Sequence, residues 1–415
     1  PYQCFSAAAG NPYLIDMDLL VEYGLLTADE VRSGDFNASP DVADFEQLAD
    51  TRWPVFRKAY SRVTPEMKAA IADFTEENRE WLPDYALFMA LKEEKYHHAP
   101  VYMWPEKDVR DRRPEALARV TEELRGEIDF RIFLQYIFFK QWNALRAHAK
   151  EKGIQIIGDI PIYVSADSSD VWTHPELFKL KPDLSPKLVA GVPPDYYSAT
   201  GQLWGNPIYD WDRMKQDNYR WWVGRIGFAK KIYDIVRIDH FIGFNSYYAI
   251  PFGSKTAHGG KWCEGPKYDL FRVIKQETGN GGIIAEDLGI ITPPVRKLLR
   301  QAAYPGMKVL QFAFDPSGDS EYLPQNYKSQ NCAVYTSTHD SDTAAGWFND
   351  LDRNTKRFVK EYLGIRKAAE LPRAFIDIAW KSTADIAMTT IQELQGFGTE
   401  ARINVPSTVG NNWRW

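Results

Sequence analysis

The feature that most constrains the fold is an alternation of strand-like and helix-like patterns that begins near residue 115. Short apolar runs alternate with longer amphipathic stretches, as in a parallel sheet whose faces are covered by helices. Phe130 to Lys152 reads as one long helix that ends at Gly153, and the buried run 154–164 follows it as a strand. Further strands are predicted at 233–238, 282–286, 307–314, 332–338 and 385–391, with helices at 293–303 and 373–382.

These six strands predict an α/β fold, either a (β/α)8 TIM barrel or an open, doubly wound sheet. An eight-stranded barrel needs two more strands. We expect one before residue 115 and the other in a missing N-terminus, because the chain starts at Pro1 without a methionine. A doubly wound sheet would carry a glycine-rich phosphate turn, and neither G-x-G-x-x-G nor G-x-x-x-x-G-K-[ST] occurs. The prediction is therefore a barrel with helical and loop insertions.

Two stretches depart from the alternation. Residues 12–115 are mostly helical in pattern and predict an insertion or flanking subdomain, with helices at 16–26, 45–59, 65–80 and 84–95. Residues 165–232 form a long connection rich in aromatic residues and proline, and connections of this length are usually functional. We predict a single domain over 1–415, in which 165–232 is a functional loop region. The chain stops in mid-pattern at 414–415, so we expect the C-terminus to be incomplete too.

Composition narrows the class of partner and the compartment. A net charge of -6 and a pI near 5.8, without basic clusters, argue against nucleic acid and anionic membranes. No apolar stretch approaches the roughly 18 residues that cross a bilayer. Cys4, Cys263 and Cys332 lie far apart, which fits a reducing cytoplasm and no disulfide framework or zinc site. A trimmed transit peptide to a plastid stays an alternative. The fourteen tryptophans are one indication of a carbohydrate partner, because flat rings stack on sugar faces.

An acidic residue stands at the end of each of three predicted strands. Asp239 follows 233–238, Glu286 ends 282–286, and Asp340 follows 332–338. Their spacings fit one strand, one crossover and a loop insertion. In a parallel barrel such residues would lie on the same rim.

Each acidic motif has an ordinary explanation when it is taken alone. Arg237 lies on the same side of its strand as Asp239 and would keep that carboxylate ionised, but the pair could also be a strand-end salt bridge. Of the adjacent acids Glu286 and Asp287, one could face the rim and hold a proton as a general acid while the other faces a neighbouring backbone. The motif could also be a solvated loop acid.

The third motif, His339-Asp340, stands close to a predicted helix start at Thr343. Asp340 or Asp342 could therefore be an N-cap, and both roles fit if Asp342 caps while Asp340 faces the site. His339 alone is more often a structural histidine than a catalytic one.

Taken together with Asp159 in Gly-Asp-Ile-Pro, the three motifs predict a carboxylate active site. Retaining glycosidases use a nucleophilic carboxylate and a general acid about 5 to 5.5 Å apart. A metal-assisted, enolase-type site with Mg²⁺ is the competing interpretation. Arg237 and His339 among the acids weigh against a cation, so we predict no metal.

The motifs resemble one family along nearly the whole chain, the 4-α-glucanotransferases called amylomaltase or disproportionating enzyme, which are relatives of the α-amylases. Besides the three acidic motifs, the resemblance rests on PYQCFSAAAGNPYLID (1–16), GDIPIYV (158–164), DVW (170–172), GVPPDYYS (191–198), GQLWGNP (201–207) and EARINVP (400–406). A series of long motifs in this order is highly specific.

The resemblance implies a (β/α)8 barrel with Asp239 as nucleophile, Glu286 as acid/base and Asp340 as transition-state stabiliser. It also implies that Arg237 orients Asp239 and that His339 hydrogen-bonds the donor sugar. The implied substrates are malto-oligosaccharides and other α-1,4-glucans, and no cofactor is implied. Asp159 would contact the donor sugar or brace the site. The remaining implied sugar contacts are Asp195, Tyr196, Trp204, Asn206 and Tyr2.

Two departures from the family pattern are small. The family commonly has asparagine at the position of Ser341, and Gly-Gly-Asn in place of Gly410-Asn411-Asn412. Ser341 can still cap or hydrogen-bond, so the catalytic assignment is unaffected. Two rival functions remain open at the level of sequence: a retaining α-glucan hydrolase on the same barrel, and a non-catalytic glycan-binding protein.

Overall fold

A computed structural model of the chain describes residues 2–34, 42–194, 199–406, 408, 410 and 412–414. Internal contacts divide the chain into two compact units. The first unit comprises Pro1–Ala38 and Phe45–Gly282, and the second comprises Ser39–Asp44 and Ile283–Trp415. The single domain over 1–415 stays a prediction.

The described residues of the first unit begin with eight α-helices before any strand. Local signals start several of them: Thr27 forms a capping box with Glu30, and Thr64 caps a helix whose first residue is Pro65. A π-helical turn, Leu91–Lys95, follows the fifth helix. The helices are α1 Met17–Glu22, α2 Ala28–Arg32, α3 Phe45–Tyr60, α4 Pro65–Glu77, α5 Leu82–Ala90, α6 Lys107–Arg110, α7 Pro114–Glu123 and α8 Arg125–Glu151.

The stretch before position 115, where one strand was expected, contains no β-strand among its described residues. The physical reason is that its apolar side chains recur at helical spacing and pack between helices. Phe56, Phe130 and Phe133 belong to one buried cluster, while Phe88 and Trp104 belong to another.

The rest of the first unit combines a parallel strand pair with an antiparallel sheet. Its elements are β1 Ile157–Ile160, α9 Ser169–Thr173, β2 Leu188–Val192, β3 Gln202–Pro207, α10 Trp211–Gln216, α11 Arg220–Ile232, β4 Ile235–Ile238, β5 Ser246–Pro251, β6 Lys261–Glu264 and α12 Lys267–Thr278. Strands β1 and β4 are parallel, with Asp159 opposite Arg237. The antiparallel sheet has the order β3-β2-β5-β6. Residues 165–232, expected to be a long connection, thus contain two strands and three α-helices in the part that the structure describes.

The second unit alternates strands and helices. Its elements are β7 Ile283–Ala285, α13 Pro293–Ala302, β8 Gly306–Val309, β9 Cys332–Tyr335, α14 Ala344–Asp350, α15 Arg353–Leu363, α16 Leu371–Lys381, β10 Ile386–Met388 and α17 Ile391–Gln395. Strands β8, β9 and β10 are parallel in the order β10-β9-β8. All of β9 is buried, as expected for a strand covered on both faces.

All six predicted strands are present, although each is shorter than predicted. At 307–314 the strand ends at Val309 and a 3₁₀ turn, Leu310–Phe312, follows. The apolar run continues through this turn because Leu310 and Phe314 are buried in the core of the second unit, where Phe314 stacks on Phe375 at 5.5 Å. An unbroken apolar run does not by itself distinguish a strand from a buried turn.

Candidate active site

In the first unit, one guanidinium joins two carboxylates at the carboxyl ends of parallel strands. The pairing of β1 with β4 places Asp159 beside Arg237, and Asp239 follows β4 directly. Arg237 Nη1 donates to Asp159 Oδ2 at 2.6 Å and to Asp239 Oδ1 at 3.2 Å. Arg237 is buried, and a single guanidinium nitrogen, Nη1, bridges the two carboxylates.

The N-terminal segment is tied to the same group. Tyr2 Oη donates to Asp159 Oδ2 at 2.8 Å. Burial, and then the nearby Asp159 charge, raise the pKa of Tyr2, so the phenol keeps the proton that it donates. Gln3 Nε2 donates to Trp204 O at 3.0 Å and to Asn206 Oδ1 at 3.2 Å. Tyr2, Asp159, Trp204 and Asn206 are therefore linked through one short segment.

Two of the predicted sugar contacts, Asp195 and Tyr196, lie outside the described residues. Gln3 was not predicted, because nothing in its local sequence signals partners some two hundred positions away. Asn206 is itself fixed, since its side-chain amide donates to Val164 O at 2.9 Å.

His240 is a second residue of this group that the sequence did not single out. It adopts a left-handed backbone conformation, with φ of 49°, directly after Asp239. Its ring meets the Trp204 ring edge to face at 4.8 Å. Burial lowers the pKa of His240 to about 4, which keeps the imidazole neutral at physiological pH.

The lowered pKa of His240 predicts a pH-dependent loss of stability. An unfolded histidine takes up a proton near pH 6.5, whereas the folded one does so only near pH 4. Between these values the unfolded state binds more protons, so wild-type stability should fall as the pH drops from 6.5 to 4, by up to about 3 kcal/mol. Calorimetric melting of His240→Asn at several pH values should show a shallower fall, since asparagine tolerates the backbone conformation but does not titrate.

His148→Asn is the matched control for this experiment. His148 is exposed on α8, so its replacement should leave the pH slope of the melting temperature unchanged. A His240→Asn protein with the wild-type slope would show that His240 does not account for the loss.

In the second unit, the adjacent acids after β7 make different contacts. Glu286 is buried and its Oε1 accepts a hydrogen bond from Leu288 N at 2.8 Å. Asp287 Oδ1 accepts from Met307 N at 2.7 Å, which ties it to the backbone of β8. Burial raises the pKa of the Asp287 carboxyl. The expected contact of one acid with a neighbouring backbone is thus made by Asp287.

Asp340 is held by residues from the end of the chain. Asn404 Nδ2 donates to Asp340 Oδ1 at 2.5 Å, and Arg402 Nη2 donates to the Asp340 carbonyl at 2.9 Å. His339 Nε2 lies 3.3 Å from Asp340 Oδ2, and the His339 ring is 5.4 Å from that of Trp413. Neither Asn404 nor Arg402 was assigned a role from sequence, although both lie in the segment EARINVP.

The predicted helix cap in this region is wrong in detail. Thr343 is the N-cap of α14, and its hydroxyl accepts from Gly346 N at 3.1 Å. Asp342 Oδ1 accepts from the N–H of the next residue, Thr343, at 2.7 Å. An N-cap side chain instead accepts from the N–H two or three residues further on. Threonine is among the preferred N-cap residues, and here the helix begins directly after Thr343, so neither aspartate is the cap. Ser341 closes the preceding turn by exchanging hydrogen bonds with the backbone of Thr338.

The described residues offer neither a metal cluster nor a membrane-spanning helix. Within the described ranges, no group of three or more histidine, cysteine, aspartate or glutamate side chains is arranged to hold a metal ion. Of the helices that the structure describes, none combines the length and apolar character needed to cross a bilayer.

Parallel strands followed by helices, with carboxylates and an arginine at the strand ends, define an α/β enzyme. The chain belongs to the 4-alpha-glucanotransferase family, whose family model matches residues 1–415. The 4-alpha-glucanotransferase of Clostridium butyricum is 44% identical over 417 residues, which cover 100% of this chain and 85% of the relative. The chloroplastic/amyloplastic 4-alpha-glucanotransferase of Solanum tuberosum is 39% identical, over 100% of this chain and 72% of the relative.

Two solved structures agree. The amylomaltase from Streptococcus agalactiae, solved in complex with acarbose, superposes with a TM-score of 0.97 at 41% identity, covering 100% of this chain and 84% of that one. The amylomaltase from Corynebacterium glutamicum, at 18% identity and a TM-score of 0.78, shares the fold over 100% of this chain and 63% of its own. The protein is thus an enzyme with 4-α-glucanotransferase activity.

Proposed function

We propose that the enzyme moves α-1,4-linked glucosyl or maltooligosaccharyl units between malto-oligosaccharides by a retaining double displacement. The observation that carries this proposal is the fixed pairing of Arg237 with Asp239 and Asp159 at the ends of parallel strands. A carboxylate whose orientation is set by a buried guanidinium suits in-line attack on an anomeric carbon. The proposed scaffold is a (β/α)8 barrel.

In the first half of the reaction, Asp239 attacks the anomeric carbon of the donor and forms a bond to it. The bond from that carbon to the glycosidic oxygen breaks, and Glu286 gives the departing oxygen a proton. The fragment on the reducing side leaves with a free 4-hydroxyl, and a β-glycosyl ester on Asp239 remains.

In the second half, Glu286 takes the proton from the 4-hydroxyl of an incoming glucan. The acceptor oxygen then attacks the anomeric carbon from the opposite face and displaces the Asp239 carboxylate. Two inversions restore the α configuration. Asp340 is proposed to stabilise the positive charge that develops on the sugar ring in both transition states.

The proposed sugar contacts divide into two sets. Asp159, Arg237 and His339 serve the donor sugar, with Arg237 acting through its hold on Asp239. The loop region that contains Asp195, Tyr196, Trp204 and Asn206 serves the acceptor, and Tyr2 is a further contact. Transfer exceeds hydrolysis when the acceptor binds well and water is kept away.

The remaining features of the proposal follow from the sequence. Residues 12–115 form a helical subdomain and 165–232 a substrate-side region, and the chemistry uses no cofactor. The three cysteines lie far apart in the sequence with no C-x-x-C pair, which supports the cytoplasm as the place of action. The partners are malto-oligosaccharides and α-1,4-glucans, with no role for nucleic acid or membrane.

Maltotriose as sole substrate separates transfer from hydrolysis. A transferase should give glucose together with a ladder of chains longer than maltotriose, because each removed unit is passed to another glucan. Product analysis by chromatography, repeated with a chelator, should give the same ladder. Glucose and maltose without longer chains would contradict transfer and favour a hydrolase, whereas unchanged maltotriose would favour a glycan-binding protein.

A further inference from the structure

One oxygen of a buried glutamate fastens both ends of the segment that carries His339 and Asp340. Glu393, on α17, is 2% exposed. Its Oε1 accepts from Ser337 Oγ at 2.8 Å and from Ala344 N at 2.9 Å. Ser337 lies just before His339, and Ala344 is the first residue of α14. The segment 337–344 is therefore closed into a loop by a single carboxylate oxygen.

The other contacts from outside this loop each reach a single residue of it or of its entry, as when Thr399 Oγ1 donates to Asp342 Oδ2 at 2.8 Å. Thr336 N donates to Met388 O at 3.0 Å, and Gln311 Nε2 donates to Asp342 O at 2.7 Å. The hold on Asp340 through Asn404 reaches its carboxylate from the outside of the loop. Among these contacts, the carboxylate of Glu393 alone joins the entry of the loop to its exit.

The second oxygen of Glu393 is left unsatisfied. Within the described part of the chain, Oε2 is buried and accepts no hydrogen bond. A buried oxygen without a donor destabilises a folded protein, so its presence needs an explanation other than stability. The negative charge supplies one, because hydrogen bonds to an ionised acceptor are shorter and roughly twice as strong as neutral ones.

We propose that Glu393 is a positioning residue for the transfer reaction, which fixes the 337–344 loop so that His339 and Asp340 keep their places beside the reacting sugar. The inference rests on the proposed function, since it assigns Glu393 to the part of the site that stabilises the transition state. It acts through Ser337 and Ala344 and does not touch the substrate.

The test is steady-state kinetics on maltotriose with Glu393→Gln, which has nearly the same shape but no charge. Its weaker hydrogen bonds should let the loop move, and kcat should fall about tenfold while KM changes less than about threefold. The melting temperature should stay within about 3 °C of wild type, because the variant also removes a buried charge. Loss of kcat without loss of stability is the result that a purely structural glutamate would not give.

Glu370→Gln is the matched control. Glu370 also accepts two N–H groups on one oxygen, from Arg366 at 2.8 Å and from Lys367 at 3.0 Å, but it is exposed and remote in sequence from the loop. Its kcat should stay within about twofold of wild type. Ser337→Ala should lower kcat less than Glu393→Gln, and the double variant should be no worse than Glu393→Gln because both changes remove one shared interaction.

The outcomes separate this inference from the proposed function. Asp340→Asn with full activity would overturn the proposed function and the inference together. Suppose that Asp340→Asn is inactive while Glu393→Gln and Glu393→Ala both keep the wild-type kcat. This result would overturn the inference about Glu393 and leave the proposed function standing. If Glu393→Ala does not fold, Glu393→Gln and Ser337→Ala still test the inference. A double variant whose loss of kcat equals the product of the two single losses would contradict a shared role.

Discussion

Asp239→Asn should lower kcat/KM for maltotriose disproportionation by about 10⁴-fold or more, because it removes the nucleophile of both half-reactions. The amide has the shape of the carboxylate and can still contact Arg237, so the fold should be retained. Product formation followed by chromatography over several hours measures the loss.

Asp239→Ala extends this test from rate to stereochemistry. With α-maltotriosyl fluoride as donor, added azide can occupy the space of the missing carboxylate and displace fluoride directly. A single displacement inverts the anomeric carbon, so the product should be the β-glycosyl azide, which NMR distinguishes from the α anomer.

Asp234→Asn is the matched control for these variants. Asp234 and Asp239 flank the same strand, β4, at its two ends, and Asp234 accepts a hydrogen bond from Ile156 N at 2.8 Å. Its replacement should leave kcat/KM within about threefold of wild type. If Asp239→Asn instead retained activity near that of Asp234→Asn, the nucleophile would have to be another residue.

Glu286→Ala should lower kcat with maltotriose by about 10²- to 10⁴-fold, the usual contribution of a general acid or base. A donor with a fluoride leaving group shows which half-reaction of the Glu286→Ala variant has lost activity. Fluoride leaves without a proton, so α-maltotriosyl fluoride should still form the glycosyl ester on Asp239. The ester should then accumulate, because no base activates the acceptor hydroxyl, and mass spectrometry of the protein should detect it.

Azide should release this ester without a base, and the product is the opposite anomer from that of Asp239→Ala. Attack on the β-glycosyl ester gives the α-glycosyl azide by a second inversion. Glu361→Gln, an exposed glutamate on α15, serves as a control with unchanged kinetics. The same anomer from both variants would contradict the division of roles between Asp239 and Glu286.

The parts of the structure that were predicted correctly are those encoded by neighbouring residues. The position of α8 followed from helical periodicity up to Gly153, and β4 and β9 followed from short apolar runs. The placement of Arg237 and Asp239 on one side of a strand followed from the two-residue repeat of strands, and their contact at 3.2 Å agrees with it.

The mistaken details arose where the local pattern was ambiguous. The run 307–314 is apolar throughout, so its change from strand to 3₁₀ turn after Val309 leaves no mark on hydrophobicity. The cap of α14 could have been any of several adjacent polar residues, and backbone geometry selected Thr343. Both choices depend on what packs around the segment.

The sequence by itself determined six of the strands, the long helix α8, the acids at the strand ends and, through its motifs, the family. Tertiary structure decided which side chains form hydrogen bonds with each other. The pairing of β1 with β4 brings Asp159 to Arg237, and Gln3 contacts Trp204. Asn404 contacts Asp340, and Glu393 closes the 337–344 loop that contains Asp340. Periodicity is set by residues a few positions apart, so it can be read directly. A hydrogen bond between distant segments exists only once burial has brought them together, so only the folded chain reveals it.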